Sequence, residues 1–325
     1  RFRAPVFVVD REGKGVRPWD SFFQAVRRFP TYWKQGPDLH REVKAYRPDL
    51  LVNFYDLIGG LYAAVYRPDV PVVAVGHQFL FFHPEFPIPP GERFQVEMIK
   101  FNTLLTSLNA SLRLGLSFSP LRDIPDRRIR ILPPLLRESV LHCRPAEGDH
   151  LLAYVLNPGY AGELMRWHKH QSDVELHCFW DKPDTPPAFS PWEGLTFHHL
   201  DDRKFLELLA SCRGFASTAG FESVCEAAFL GKPACVVPTG KHVEQLCNAM
   251  DAERAGVAIW RRDFDLTGFL SHIRDSEQTR QGDFAAWVKT APEAFLRLLE
   301  GAGRGEDVLR LPLHSRTKEL RPPPR

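Results

Sequence analysis

The sequence offers little that would hold a metal or enter a membrane. Its six cysteines (143, 178, 212, 225, 235 and 247) form no CxxC pair and have no His-x3-His partner, so a zinc site has nothing to stand on. Such scattered thiols, Cys235 in P-A-C-V-V-P among them, read as reduced core residues and fit a reducing cytoplasm. The longest apolar runs, such as Val70 to Val75 and Leu114 to Phe118, fall far short of the ~20 residues a spanning helix needs. Charge of one sign is also missing. Forty-two Lys and Arg against 40 Asp and Glu leave +2, too weak a field for nonspecific nucleic-acid binding. No internal repeat recurs at a fixed period. No secretory signal precedes the strand-like Pro5 to Val9, and the start at Arg1 reads as a trimmed chain.

What is present is a globular chain of 325 residues, 44% hydrophobic and 25% charged, with room for two domains. Short apolar runs bounded by Pro or Gly alternate with helical patterns. Leu50 to Phe54, Pro71 to Val75, Leu114 to Phe118 and Arg128 to Leu132 read as strands, with Leu57 to Tyr66 and Glu92 to Leu108 as helices. Pro133-Pro134 stops the last strand, and polar Arg144 to Asp149 reads as a loop where the composition places the domain boundary. A second alternation follows, with strands at His150 to Leu156, Val174 to Phe179, Leu195 to His198, Gly214 to Ser217 and Ala234 to Val237. Its helices are expected at Ala161 to His170, Asp202 to Ser211, Phe221 to Leu230 and Val243 to Arg254. Asp181 to Pro191, with four of the 28 prolines, is expected to be a loop. This pattern implies two parallel sheets covered by helices, with sites at the carboxyl ends of the strands.

The most informative segment runs from Arg213 to Ala249. A strand enters Thr218-Ala219-Gly220, small residues that let backbone approach a ligand, and then a helix whose free N–H groups suit a phosphate or diphosphate. Glu226 in that helix can accept hydrogen bonds from two adjacent hydroxyls, as on a ribose; the plainer reading is a solvated or capping charge.

The order of parts here is Ser217 to Gly220, Glu226-Ala227, Leu230-Gly231-Lys232-Pro233, Pro238, Glu244-Gln245 and Asn248-Ala249. It resembles the donor-binding half of GT-B glycosyltransferases. The resemblance is closest to cytoplasmic transferases similar to the lipid-linked peptidoglycan N-acetylglucosamine transferase (a family 28-like C-terminal domain), in a bacterial and archaeal branch of that group. It implies an α/β GT-B fold, two Rossmann-like domains facing across a cleft. An acceptor-side domain is expected over 1–135, a nucleotide-sugar domain over 136–302 and a disordered tail over 303–325.

Position by position, the resemblance implies that Ser217, Thr218, Ala219 and Gly220 hold the diphosphate. Glu226 would hold the ribose, Glu244 and Gln245 the donor sugar, and His198 to Leu200 the base. Asn157-Pro158-Gly159 closes the first strand of the second domain, so Asn157 and Gly159 fall where relatives contact phosphate or sugar. The His198-His199 pair has a packing role as its alternative. In the first domain Pro48 to Val52 with Asp56, Pro71 to Gln78 and the run F-L-F-F-H-P resemble the branch's acceptor strands, and Pro133 to Arg137 its hinge. The family's front Gly-x-Gly-His loop, whose histidine is its candidate base, has no counterpart here.

His77, following a strand, is the remaining base candidate, since an imidazole can take a hydroxyl proton at neutral pH. Its alternative is a histidine that bonds to backbone and orders the next loop. Asp56 is a lesser candidate, with helix capping as the alternative. Phe79, Phe81, Phe82 and Phe86 pack on an acceptor, rest on a membrane surface, or anchor their own loop.

The expected reaction is sugar transfer from a nucleoside-diphosphate sugar to a hydroxyl acceptor, possible lipid linkage included, with inversion at the anomeric carbon. No DxD-type pair serves the diphosphate, so neither metal nor cofactor is expected. Expected partners exclude nucleic acid and include at most peripheral membrane contact, at the inner face. A 2-epimerase or hydrolase of the same fold, and a noncatalytic nucleotide-sugar binder, are the alternatives.

Overall fold

The computed structural model describes residues 27, 30, 34–156, 158–275 and 281–312. These form two compact units, one of residues up to 135 with those from 287 onward, the other of residues 136–286.

The first unit is a parallel four-stranded sheet in the order β1 (Leu51–Phe54), β2 (Val72–Gly76), β3 (Leu112–Leu116), β4 (Ile129–Leu132). Its β2 is buried along its whole length, as a β-branched run covered on both faces must be. Helices α1 (Gly36–Tyr46), α2 (Leu57–Tyr66) and α3 (Arg93–Leu105) lie between the strands in sequence. Asp56 caps α2, its carboxylate accepting from Gly59 N at 2.9 Å. After β2 the chain enters a 3-10 turn, His77–Phe82, whose Phe79, Leu80 and Phe81 are buried along with Phe86. The aromatic run therefore anchors its own loop.

The second unit begins with the short α4 (Glu138–Leu141) and holds a seven-stranded sheet. Its strands are β5 (Leu151–Val155), β6 (Leu176–Trp180), β7 (Ala188–Trp192), β8 (Leu195–His198), β9 (Gly214–Thr218), β10 (Ala234–Val237) and β11 (Ile259–Trp260). Helices α5 (Ala161–His168), α6 (Asp202–Ser211), α7 (Glu222–Phe229), α8 (Val243–Arg254) and α9 (Thr267–Asp275) complete the alternation. The order is β11-β10-β9-β5-β6-β8-β7, parallel except for β7. Five expected elements, α2, β8, α6, β10 and α8, have the bounds read from the sequence.

Two expectations are corrected. The Asp181 to Pro191 loop is in its second half the strand β7, antiparallel to β8. Phe189 pairs with Phe197 and packs on the core, while Pro191 sits at a register shift on the sheet's outer edge, where a missing N–H costs no ladder bond. The expected division at 302 is the second. Helix α10 (Gln281–Lys289) leads to α11 (Ala291–Gly303), and Ala291, Ala294, Phe295, Leu298 and Ala302 pack on Val73, Val75, Leu112 and Leu114 of the first sheet. The tail is anchored as far as 312: Val308 is buried, and the Arg130 guanidinium donates to the carbonyls of Val308 and Leu311 while its Nε lies 2.7 Å from Asp123. Residues 313–325 lie outside the described residues.

Candidate functional site

In a parallel sheet a crevice opens where connections from adjacent strands run to opposite faces, at the carboxyl ends. In the second sheet the chain moves outward from β5 through β6 to β8, then returns to lay β9 on the other side of β5. The reversal falls between β5 and β9. Gly159, in a 3-10 turn after β5, and Ser217 to Gly220, at the end of β9, flank it. Asn157 lies outside the described residues.

Ser217 is fully buried, and its Oγ donates to Thr218 O at 3.0 Å, so its hydroxyl is engaged inside the turn. Thr218 and Ala219 are also buried. Gly220 N donates to Thr218 O at 2.7 Å, and the buried Asn248 of α8 donates Nδ2 to Ala219 O at 3.3 Å, which ties the turn to the neighbouring helix. No side-chain cap closes the start of α7, so its first-turn donors and positive end face whatever sits at the turn.

Glu226, one turn into α7, has a side chain only 12% exposed and is paired bidentately with Arg137, Nε to Oε1 at 2.7 Å and Nη2 to Oε2 at 3.0 Å. It is neither a solvated charge nor a cap. Burial lowers the Arg137 pKa, but the Glu226 hydrogen bond and the charges of Glu226, Asp202 and Glu222 more than offset this and raise it overall. In the sequence Arg137 stands out only as the end of the hinge-like Pro133 to Arg137 run.

Gln245 lies in the first turn of α8. Its Oε1 accepts from Thr239 N at 2.8 Å, which leaves the side-chain Nε2 hydrogens to donate. The His242 ring caps that helix by accepting from Gln245 N at 3.3 Å, and burial lowers its pKa. Glu244, beside it, is half-buried. Helix α8 thus serves both ends of the edge, through Asn248 at the β9 turn and Gln245 at the β10 turn.

His198 ends β8 and is 4% exposed. Glu175 Oε1 accepts from His177 Nε2 at 3.1 Å, so neutral His177 receives a hydrogen bond at Nδ1 from His198 Nε2, 3.0 Å away. His198 Nδ1 is left buried without a partner. Leu200, two residues on, is 47% exposed. His177 and the nearby His150, with ring centroids 5.2 Å apart, were not singled out in the sequence, because their neighbours come from separate strands.

In the first unit His77 is 4% exposed; its Nδ1 donates to Leu116 O at 2.7 Å, and its ring meets Phe86 and Phe118 edge-on. That geometry fits a histidine ordering the following turn. Asp56 is occupied as the α2 cap. No cluster of three or more His, Cys, Asp or Glu that could hold a metal ion occurs among the described residues, nor any helix long and apolar enough to cross a membrane.

Solved structures share this architecture at low identity. The spinosyn rhamnosyltransferase SpnG matches with TM-score 0.51 and 16% identity over 85% of this chain and 79% of its own. The glycotransferase of kitacinnamycin matches at 0.51 and 15% over 93% and 80%. SnogD, a glycosyltransferase from Streptomyces nogalater, matches at 0.50 and 17% over 81% and 76%. No curated protein matches by sequence. The fold, α/β with two Rossmann-like domains, is that of the GT-B glycosyltransferases. Residues 6–274 match glycosyl transferase family 1, and the chain belongs to that family of enzymes.

Proposed function

We propose that the chain transfers a sugar from a nucleoside-diphosphate sugar to a hydroxyl acceptor, with inversion and without a metal ion or other cofactor. The observation that carries this reading is the β9–α7 turn, where Gly220 opens onto an uncapped helix start and Glu226 stands one turn further on. Backbone donors and the helix dipole would take the charge that develops on the departing diphosphate, the work a metal does elsewhere. Glu226 would accept from the ribose hydroxyls, Gln245 would donate to the sugar, and the backbone from His198 to Leu200 would flank the base. The geometry of His77 and Asp56 supports holding the fold, so neither is assigned the acceptor's proton. Five of the six cysteines are buried and all six are free, which supports a cytoplasmic setting.

Titration with UDP, dTDP, GDP and ADP tests the donor site. Glu226→Gln is expected to weaken the tightest of them by about 1–3 kcal/mol through loss of charge-assisted hydrogen bonds. Turnover of the matching nucleotide sugars in EDTA, followed by NMR of the product's anomeric proton, tests metal independence and inversion. Free or epimerised sugar without an acceptor would convert the reading to a hydrolase or epimerase, and binding with no turnover to a noncatalytic binder.

A further inference from the structure

Arg137 is the second residue after the chain passes from the first unit to the second. Its backbone is extended, and its guanidinium holds both oxygens of Glu226. The third nitrogen, Nη1, lies 3.8 Å from Asp202 Oδ1, a fully exposed carboxylate at the first position of α6, just past the His198 to Leu200 turn. One side chain thus touches the helix that carries the carboxylate and the helix that follows the turn beside the expected base.

The pairing leaves the carboxylate usable. An ionised carboxylate has roughly four lone-pair sites, two per oxygen, and the arginine fork takes one on each. The remaining two, one on each oxygen, diverge in the same plane to opposite flanks of the carboxylate, so a ribose edge can be accepted on one flank while the fork stays in place. The fork also removes an electrostatic obstacle. A largely buried bare carboxylate would oppose the approach of an anionic diphosphate, whereas the bidentate ion pair is close to neutral as a unit and rigid in orientation.

We infer that Arg137 is the positioning residue of the nucleoside site, holding Glu226 in the plane in which it accepts the ribose hydroxyls. This inference rests on the proposed role of Glu226 and adds to it the source of that residue's geometry. Lysine would restore the charge without the two-pronged hold.

The test compares ribose recognition with overall binding. The tightest of UDP, GDP and ADP is titrated calorimetrically beside its 2′,3′-dideoxy analogue, which keeps base and diphosphate but offers Glu226 nothing. The wild type is expected to prefer the ribonucleotide by about tenfold or more, and Arg137→Met to reduce that preference below about threefold while leaving the affinity for the dideoxy analogue unchanged. Adding Arg137→Met to Glu226→Gln should cost nothing further. Loss of the fold would weaken both nucleotides alike. Should Arg137→Met not fold, Arg137→Lys decides, with a reduced preference expected. A preference kept in the folded arginine variant but abolished by Glu226→Gln overturns the Arg137 inference alone. A preference absent from the wild type, or untouched by Glu226→Gln, overturns the ribose assignment and this inference with it.

Discussion

A Cβ added at Gly220 would meet only the Thr218 carbonyl oxygen, 3.9 Å away, so the fold leaves room for a side chain there and any penalty must come from a ligand. Gly220→Val is therefore expected to keep the melting temperature of the parent while weakening nucleoside diphosphates about tenfold or more relative to the free nucleosides, because a branched side chain blocks close approach to backbone donors. Equal affinities for the diphosphates in parent and variant would refute the phosphate site. His77 permits a similarly clean substitution. The Asn side-chain amide can reproduce the Nδ1–H donated to Leu116 O but carries no base, so His77→Asn is expected to retain kcat within about threefold. A collapse of kcat at unchanged stability would instead make His77 the general base. The residue types at this scale were legible, since small residues before a helix and a carboxylate inside it announce themselves. Their partners were not: Arg137 and Glu226 are 89 positions apart, and nothing local ties an arginine after Pro133-Pro134 to a glutamate in α7.

Strands β6 and β8 bring His177 and His198 side by side, with His150, the residue before β5, beside them. Burial lowers the His198 pKa to about 4, helped by Lys204 and His177, and burial with the charge of His150 lowers that of His177 despite Glu175. Both rings stay neutral in the fold at pH values where an unfolded chain, with imidazoles near 6.5, takes up protons. The His198 contribution to stability is therefore complete above about pH 6.5 and is lost as the pH falls toward about 4, and the His177 contribution is lost in the same direction. Melting temperatures across that window should fall for the parent and fall less steeply for His198→Gln; parallel curves would show that the cluster does not govern acid stability. The pairing itself was invisible beforehand, because strand register decides which histidines meet. Register also made β7 a strand, as Phe189 opposite Phe197 outweighs the prolines around it.

The two units keep separate cores, and the last described helix belongs to the first of them. Leu298 is fully buried there among Val73, Leu112 and Leu114, so Leu298→Ala is expected to destabilise that unit by about 2–5 kcal/mol. Hydrogen exchange locates the effect: the amides of β2 and β3 should lose protection while those of β9 and β10 keep theirs. Uniform loss would mean that the units unfold together. Trp287 points the same way, its indole N–H donating to Ser117 O at the end of β3.

The sequence by itself determined the alternation of strands and helices and the small-residue turn at the end of β9. Those follow from periodicity, proline placement and the steric freedom of glycine, all of which act over a few neighbours. The family resemblance over Ser217 to Ala249 added the glycosyltransferase fold. Only the tertiary structure decided that the chain returns after 286 to cover the first sheet, that three histidines meet across β5, β6 and β8, and that Arg137 holds Glu226. Each depends on which distant surfaces pack together, and an amphipathic face such as that of α11 specifies burial without specifying against which sheet.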